Sequence, residues 1–391
     1  MQSQEGKASV WSTGLAMFAM FFGAGNIVFP LTLGQFTQDN NLWGVLGLLL
    51  TAVVVPLVGL FVMLLFEGSY TNFFKRIGKV PGFILVLIIL AVIGPFAGVP
   101  RCVTISYSTL SVFKIGQLPG VNLVTFSLLN CLLIYIFSIR PTKILSVIGN
   151  ILTPILLASL SVIILKGIFG FPHADPSLHT KWESFSRGFL EGYNTMDLLA
   201  TFFFSSVVLL CLRSTKEKPT PEQKRHFLRV AGLGGLIAAL LLISIYVSFC
   251  YLAAGYSSHL VGVPGHELLG VLAFQLLGPY AGLFVGIAVF FACLTTEIAL
   301  ATIFARFLSE SIFQGKISYR TALLGTLAIS LLVSTLRFDG IAAFLSPILQ
   351  LCYPALIILC ILNLLHKAFD FKPVKLIFYG AIAVTLLQKL F

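Results

Sequence analysis

The sequence predicts an all-α integral membrane protein of about eleven transmembrane helices, arranged as a five-plus-five inverted repeat with helices one and six broken. Three observations predict it. Hydrophobic residues make up 58% of the 391 and charged residues only 10%, which is the composition of a polytopic membrane chain rather than a water-soluble one. Charge-free or nearly charge-free runs of spanning length recur from end to end. Two of them, the first and the sixth, are interrupted by poor helix formers at corresponding positions of the two halves, the sequence signature of a transporter's binding site.

The first run, residues 10–33, carries no charge yet contains Gly23, Gly25, Asn26 and Pro30. Glycine costs about 1 kcal/mol in a helix interior, and proline removes a backbone donor. A break at membrane depth is tolerated only where the freed N–H and C=O groups line a cavity or hold something. A glycine-rich helix contact with a proline kink is the plainer reading of the same residues. Further runs follow at 42–66, 80–113, 121–139, 144–165, 188–212, 230–256, 278–304, 321–336, 340–365 and, marginally, 376–388. The third exceeds an upright span at about 1.5 Å per residue, so it is expected to tilt or project beyond the bilayer. Residues 259–277 are mildly amphipathic and read as a short helix over one mouth. The sixth run opens on Glu191-Gly192-Tyr193-Asn194-Thr195-Met196-Asp197, the counterpart of the first interruption. The expected organisation is a first repeat over 1–170, an external loop over 171–187, a second repeat over 188–365 and an additional span over 366–391.

The net charge of +11 does not point to nucleic acid, because of where the charges fall. With a cytoplasmic N-terminus, eighteen of the 25 Lys and Arg lie in inside loops and six outside, with Arg101 inside a span. That asymmetry sets orientation in a membrane. The basic stretch 213–229, interrupted by Pro219 and Pro221, reads as a solvated central cytoplasmic loop. No basic segment precedes a small-residue cleavage site, so the first span is expected to be retained. The seven cysteines are scattered singly in or beside apolar runs and imply neither a zinc site nor a disulfide framework. His173 and His179 share a loop with Asp175 but are too isolated to assign a metal. No Walker loop, HExxH or catalytic Ser/His/Asp set is present, and the Gly23-Ala24-Gly25 turn lacks the βαβ setting of a nucleotide fingerprint. A channel would need a pore ring, and no filter-like repeat is visible.

Four motifs in order carry a family resemblance: Phe22-Gly23-Ala24-Gly25-Asn26-Ile27-Val28-Phe29-Pro30; Ile93-Gly94-Pro95 with Pro100-Arg101; Gly192-Tyr193 with Thr195-Met196-Asp197; and Ala292-Cys293-Leu294-Thr295-Thr296. Over nearly its whole length the chain resembles the bacterial branched-chain amino acid transporters of the BrnQ type. The resemblance implies the LeuT-like fold of the amino acid–polyamine–organocation superfamily, the bacterial cytoplasmic membrane, and sodium-driven import of leucine, isoleucine and valine. It also implies sodium ligands from the Thr295 and Thr296 hydroxyls and from carbonyls near Met20 and Gly23. Two departures from the family pattern are visible: eleven spans rather than twelve, and Glu297 where a small neutral residue is usual.

The residues themselves suit a zwitterion. Amides freed around Gly23, Ala24 and Gly25 at a half-helix N-terminus favour a carboxylate, with Asn26 orienting the turn or touching the ligand. Carbonyls near Tyr193 and Asn194, with the Thr195 hydroxyl, suit an ammonium. Met196, Phe202 and Phe203 are candidates for an apolar pocket, where burial of a branched side chain contributes roughly 1.5–3 kcal/mol. Two adjacent threonines also serve membrane helices simply by back-bonding to the preceding turn. Arg101, Glu191, Asp197 and Glu297 lie at membrane depth and should face the bundle interior. Asp197 is expected to organise the second break or pair with Arg101, as part of a gate, and Glu297 is the proton-coupling candidate should protons replace sodium. Another neutral amino acid on the same fold is the alternative substrate.

Overall fold

The computed structural model describes residues 9–113, 122–139, 153–170, 174–212 and 220–390. The first span is two helices, α1 (Val10–Phe21) and α2 (Ala24–Thr37). The second runs through α3 (Asn41–Leu49), a π-helical turn (Leu50–Val54) and α4 (Val55–Leu65). Short α5 (Tyr70–Phe74) precedes α6 (Lys79–Ala91) and α7 (Gly98–Ser111). Next come α8 (Leu123–Ser138), α9 (Thr153–Phe169), α10 (Lys181–Asn194) and α11 (Asp197–Leu212). The chain continues with α12 (Pro221–Gly255), α13 (Leu268–Phe307), α14 (Tyr319–Ser334), α15 (Arg337–Phe369) and α16 (Val374–Leu390).

Among the described residues, six helical stretches are long and apolar enough to cross a membrane, and five shorter apolar helices accompany them. Outward residues such as Leu128, Leu129, Leu132 and Ile136 on α8 are exposed, as suits a multi-pass membrane protein whose outer face meets hydrocarbon rather than water.

Where the chain departs from the expected layout, local chemistry gives the reason. The long third run does not stay one tilted helix. It leaves helical geometry at Gly94 (φ −87°, ψ −111°), next to Pro95, which has no N–H to continue the ladder. The segment 171–187 is not all loop, because α10 starts at Lys181 with Thr180 as its cap. Thr180 Oγ1 accepts the Glu183 N–H at 3.2 Å while Glu183 Oε2 accepts the Thr180 N–H at 2.7 Å, a capping box. The second interruption therefore falls inside the sixth span rather than at its opening. The central basic stretch is likewise helical from Pro221, where Thr220 and Gln223 form a second such box. Residues 268–277 make a short helical arm that turns sharply into the next span at Gly278 (φ 77°), a backbone region that glycine reaches without penalty. The start of the fifth run, His173 and residues 213–219 lie outside the described residues.

The halves of the first span both lean on α12, α10 packs along α3, and α7 along α13. The α3–α10 contact is a small-residue seam: a methyl on Gly188 would overlap the Gly44 carbonyl, and one on Gly47 the Phe185 carbonyl, while Gly192 stands as close to Thr51 just beyond α3. Close backbone approach of this kind drives helix association where hydrophobic segregation cannot. It fixes α10, and hence the second break, against the scaffold.

Candidate functional site

The first break is built by its own sequence. Phe22 leaves the helix (φ −73°, ψ 93°), and Gly23 caps α2. In an unbroken helix the Gly23 N–H would donate to the Ala19 carbonyl. It donates instead to Asn26 Oδ1 at 3.0 Å, which releases that carbonyl. The Phe22 carbonyl precedes the cap and lies outside the α2 ladder. On the other side, the Ala24 and Gly25 N–H groups belong to the first turn of α2, which has no intrahelical acceptors and carries the positive end of the helix dipole.

The second break is Thr195-Met196, between α10 and α11. Met196 sits in the left-handed region (φ 63°), which costs a side-chain-bearing residue about 1–2 kcal/mol. Such strain persists only where surroundings over-determine it. They do so here through Asp197, the first residue of α11, which is 2% exposed. Its carboxylate accepts both Asn26 Nδ2 contacts, at 2.9 and 3.0 Å, and the Tyr246 hydroxyl at 2.9 Å. Asn26 Nδ2 also meets the Tyr246 hydroxyl. Asn26 thus caps one break with its oxygen and holds the other with its nitrogen, while Tyr246 anchors both to α12. Nothing in the sequence around Tyr246 singles it out from an apolar span.

Between the breaks lies a partly open cleft of about 410 Å³, counting the space at its mouth. Met20, Gly23, Ala24, Gly25, Asn26, Arg101, Thr195, Met196, Asp197 and Thr296 all line it. Gly25 allows the two breaks to touch, since a Cβ there would stand 3.1 Å from Thr195 Cα. The Thr195 hydroxyl donates to the Gly192 carbonyl at 2.9 Å. Tyr193 does not line the cleft; it stacks on Tyr353 with ring centroids 4.6 Å apart. Asn194 contributes from behind, its carbonyl accepting Arg101 Nη1 at 3.0 Å. Phe202 and Phe203 also point elsewhere, Phe202 against Phe73 and Phe74 and Phe203 against Tyr70. The apolar wall comes from Phe21, Ile93, Phe204 and Leu300. Helical periodicity explains the difference, because Asp197, Ala200 and Phe204 share one face of α11 while 202 and 203 fall on others.

Beside the cleft, α13 brings its threonines onto the first break. Thr296 Oγ1 lies 3.4 Å from the Ala19 carbonyl, 3.3 Å from that of Phe22 and 3.4 Å from that of Ala292. Thr295 Oγ1 lies 3.4 Å from the Ala19 carbonyl and 2.7 Å from that of Ala292. The carbonyls gathered here are Ala19 and Phe22, each one residue before the expected Met20 and Gly23. The shift follows from which N–H groups the break removes. Five neutral hard oxygens converge, a donor set that fits a small monovalent cation, and the back-bonds to Ala292 are part of the same set.

Glu297, next in sequence, turns away from the cleft. It is wholly buried and accepts Asn130 Nδ2 from α8 at 2.7 Å. Arg101 does not meet Asp197; its guanidinium lies over the rings of Phe29 and Phe338, 4.8 and 5.1 Å from their centroids. Glu191 holds Asn194 Nδ2 at 2.9 Å and pairs with Arg187 at 2.7 Å. His179 stacks on Phe36, and Asp175 accepts the Ser257 hydroxyl at 3.3 Å.

A family model described as branched-chain amino acid transport protein matches residues 6–391. The branched-chain amino acid permease BraB of Bacillus subtilis (strain 168) is 34% identical over 364 residues, covering 91% of this chain and 80% of that protein. Among solved structures, Mhp1, a nucleobase-cation-symport-1 family transporter in a closed conformation with bromovinylhydantoin bound, superposes with a TM-score of 0.64 at 12% identity, over 97% of this chain and 90% of that one. MhsT in complex with L-phenylalanine gives 0.58 at 16% identity, over 97% and 100%. At such identities the structural likeness speaks for the fold alone, which is that of LeuT-like transporters with broken first and sixth helices.

Proposed function

Because this chain belongs to the branched-chain amino acid transport protein family, we propose that it is a secondary transporter that imports leucine, isoleucine and valine across the bacterial cytoplasmic membrane in symport with sodium. The observation that carries the sodium reading is the convergence of the Thr295 and Thr296 hydroxyls on the Ala19, Phe22 and Ala292 carbonyls. These oxygens would hold the ion and so bridge α13 to the end of α1. The chemistry the ion supplies is a positive charge that draws the neutral oxygens together, and with them the first break.

The same break presents the Ala24 and Gly25 amides to the substrate carboxylate. The ammonium lies toward Asp197 and the end of α10, and the branched side chain against Phe21, Ile93, Phe204 and Leu300. Burial of that side chain contributes roughly 2 kcal/mol. One methylene changes such a term by only about 1–3 kcal/mol, consistent with a pocket shared by all three substrates. The Asn26–Asp197 pair ties both breaks into one unit and Tyr246 holds that unit to α12, the coupling between breaks that alternating access requires.

Uptake of radiolabelled leucine into proteoliposomes tests this. An inward sodium gradient is expected to drive accumulation, choline to abolish it, and Thr296→Ala to lower the sodium-driven rate about tenfold or more. Accumulation indifferent to sodium and driven by a proton gradient would overturn the sodium reading while leaving the family and fold intact.

A further inference from the structure

Among the described residues Arg101 and Glu297 are wholly buried charged side chains with polar atoms left unpartnered, and of the two only Arg101 lines the cleft. It is 1% exposed and lines the cleft between the breaks. Its Nη1 donates to the Asn194 carbonyl, and its guanidinium lies over Phe29 and Phe338, two rings that adjoin each other with centroids 6.0 Å apart. Its Nε and Nη2 have no hydrogen-bond partner, and among the described residues it forms no ion pair. The nearby acidic side chains are already engaged, Glu191 with Arg187 and Asn194 and Asp197 with Asn26 and Tyr246.

A buried guanidinium without a counter-ion is expensive, and leaving its donors unmade costs more again. The two unsatisfied donors are also a matched pair. Nε–H and the neighbouring Nη2–H project in parallel along one edge of the guanidinium, the edge that grips both oxygens of a carboxylate. The third donor, bonded to Asn194, and the two rings fix the plane in which that edge lies.

We propose that Arg101 binds the α-carboxylate of the transported amino acid through Nε–H and Nη2–H, and so selects substrates with a free carboxylate. The inference rests on the transport reading above and adds to the amides of α2 a charged side chain from α7. Carboxylate recognition is then tied to the end of α10 through the Asn194 carbonyl, so that substrate, rather than a protein acid, completes the buried charge.

The test uses the purified full chain, labelled leucine, and unlabelled leucine or leucinamide as competitor. For the native protein leucinamide should compete at least about 100-fold more weakly than leucine, as in sites built to hydrogen-bond a group the analogue lacks. Arg101→Gln and Arg101→Met, the latter keeping an apolar stem against Phe29 and Phe338, should each weaken leucine binding by more than about tenfold and erase most of the preference over leucinamide. Arg101→Lys, a point charge without the fork, should retain part of it. The inference is overturned if leucinamide competes with the native protein as well as leucine does, whatever the variants do. It is overturned equally if either neutral variant binds leucine more weakly but keeps the native preference, the pattern of a purely structural or gating arginine. Failure of the native chain to bind any branched-chain amino acid would remove the transport reading itself, a result distinct from a normal native protein with indifferent variants.

Discussion

The two helix breaks do the same job by different means. The first is local. Gly23 adopts an extended conformation, φ −124° and ψ −161°, and Asn26, three residues on, satisfies the N–H that the break orphans. The second has no glycine where the chain turns. Met196 takes the left-handed conformation there, and what holds it is remote: Asn26 from the first span and Tyr246 from α12, both on Asp197. One break is thus written into consecutive residues, and the other is imposed by tertiary contacts that run through the first. A ligand that alters the first break must therefore be felt at the second.

The largest effect should come from removing what the second break depends on. Asp197→Ala would leave the Tyr246 hydroxyl buried without its acceptor and the Asn26 amide with the Tyr246 oxygen alone, a loss of about 3 kcal/mol, visible as a lower unfolding temperature in detergent together with lost uptake. Near-native stability would mean that the second break is as self-sufficient as the first. Next comes the contact between the breaks. Gly25→Ala places a Cβ 3.1 Å from Thr195 Cα and 3.3 Å from its carbonyl oxygen, backbone atoms that cannot swing aside. A cost of about 2 kcal/mol is expected, with uptake falling more than stability. The smallest effect isolates strain. Met196→Val should be less stable than Met196→Leu by about 1 kcal/mol, because branching at Cβ penalises the left-handed region. Equal stabilities in chemical denaturation would remove strain from the account of the second break.

The same contrast explains what the sequence revealed. Gly23, Gly25, Asn26 and Pro30 in an uncharged run announce a broken span because their chemistry acts within a turn or two. The second break was legible as a stretch, Glu191 to Asp197, but not as a position, since Gly192 serves the close contact with Thr51 of the second span and the turn falls on Met196. The excess length of the third run was visible, and its resolution into a bend follows from Gly94 beside Pro95, with Phe304 of α13 packed where a side chain on Gly94 would stand. Phe204 rather than Phe202 or Phe203 on the cleft could have been read from the spacing after Asp197. Tyr246 could not, because only the fold brings α12 to the breaks. The oxygens around Thr295 and Thr296 were displaced by one residue because the bond that diverts the Gly23 N–H belongs to a side chain.

The most direct test of this coupling is equilibrium leucine binding measured across a sodium titration, for the native chain and for Thr296→Ala. The account predicts that sodium tightens leucine binding to the native protein by about tenfold, a coupling of roughly 1.4 kcal/mol, and that Thr296→Ala abolishes the dependence while still binding leucine weakly. Native leucine affinity that does not change with sodium, or a dependence that survives in Thr296→Ala, would contradict it.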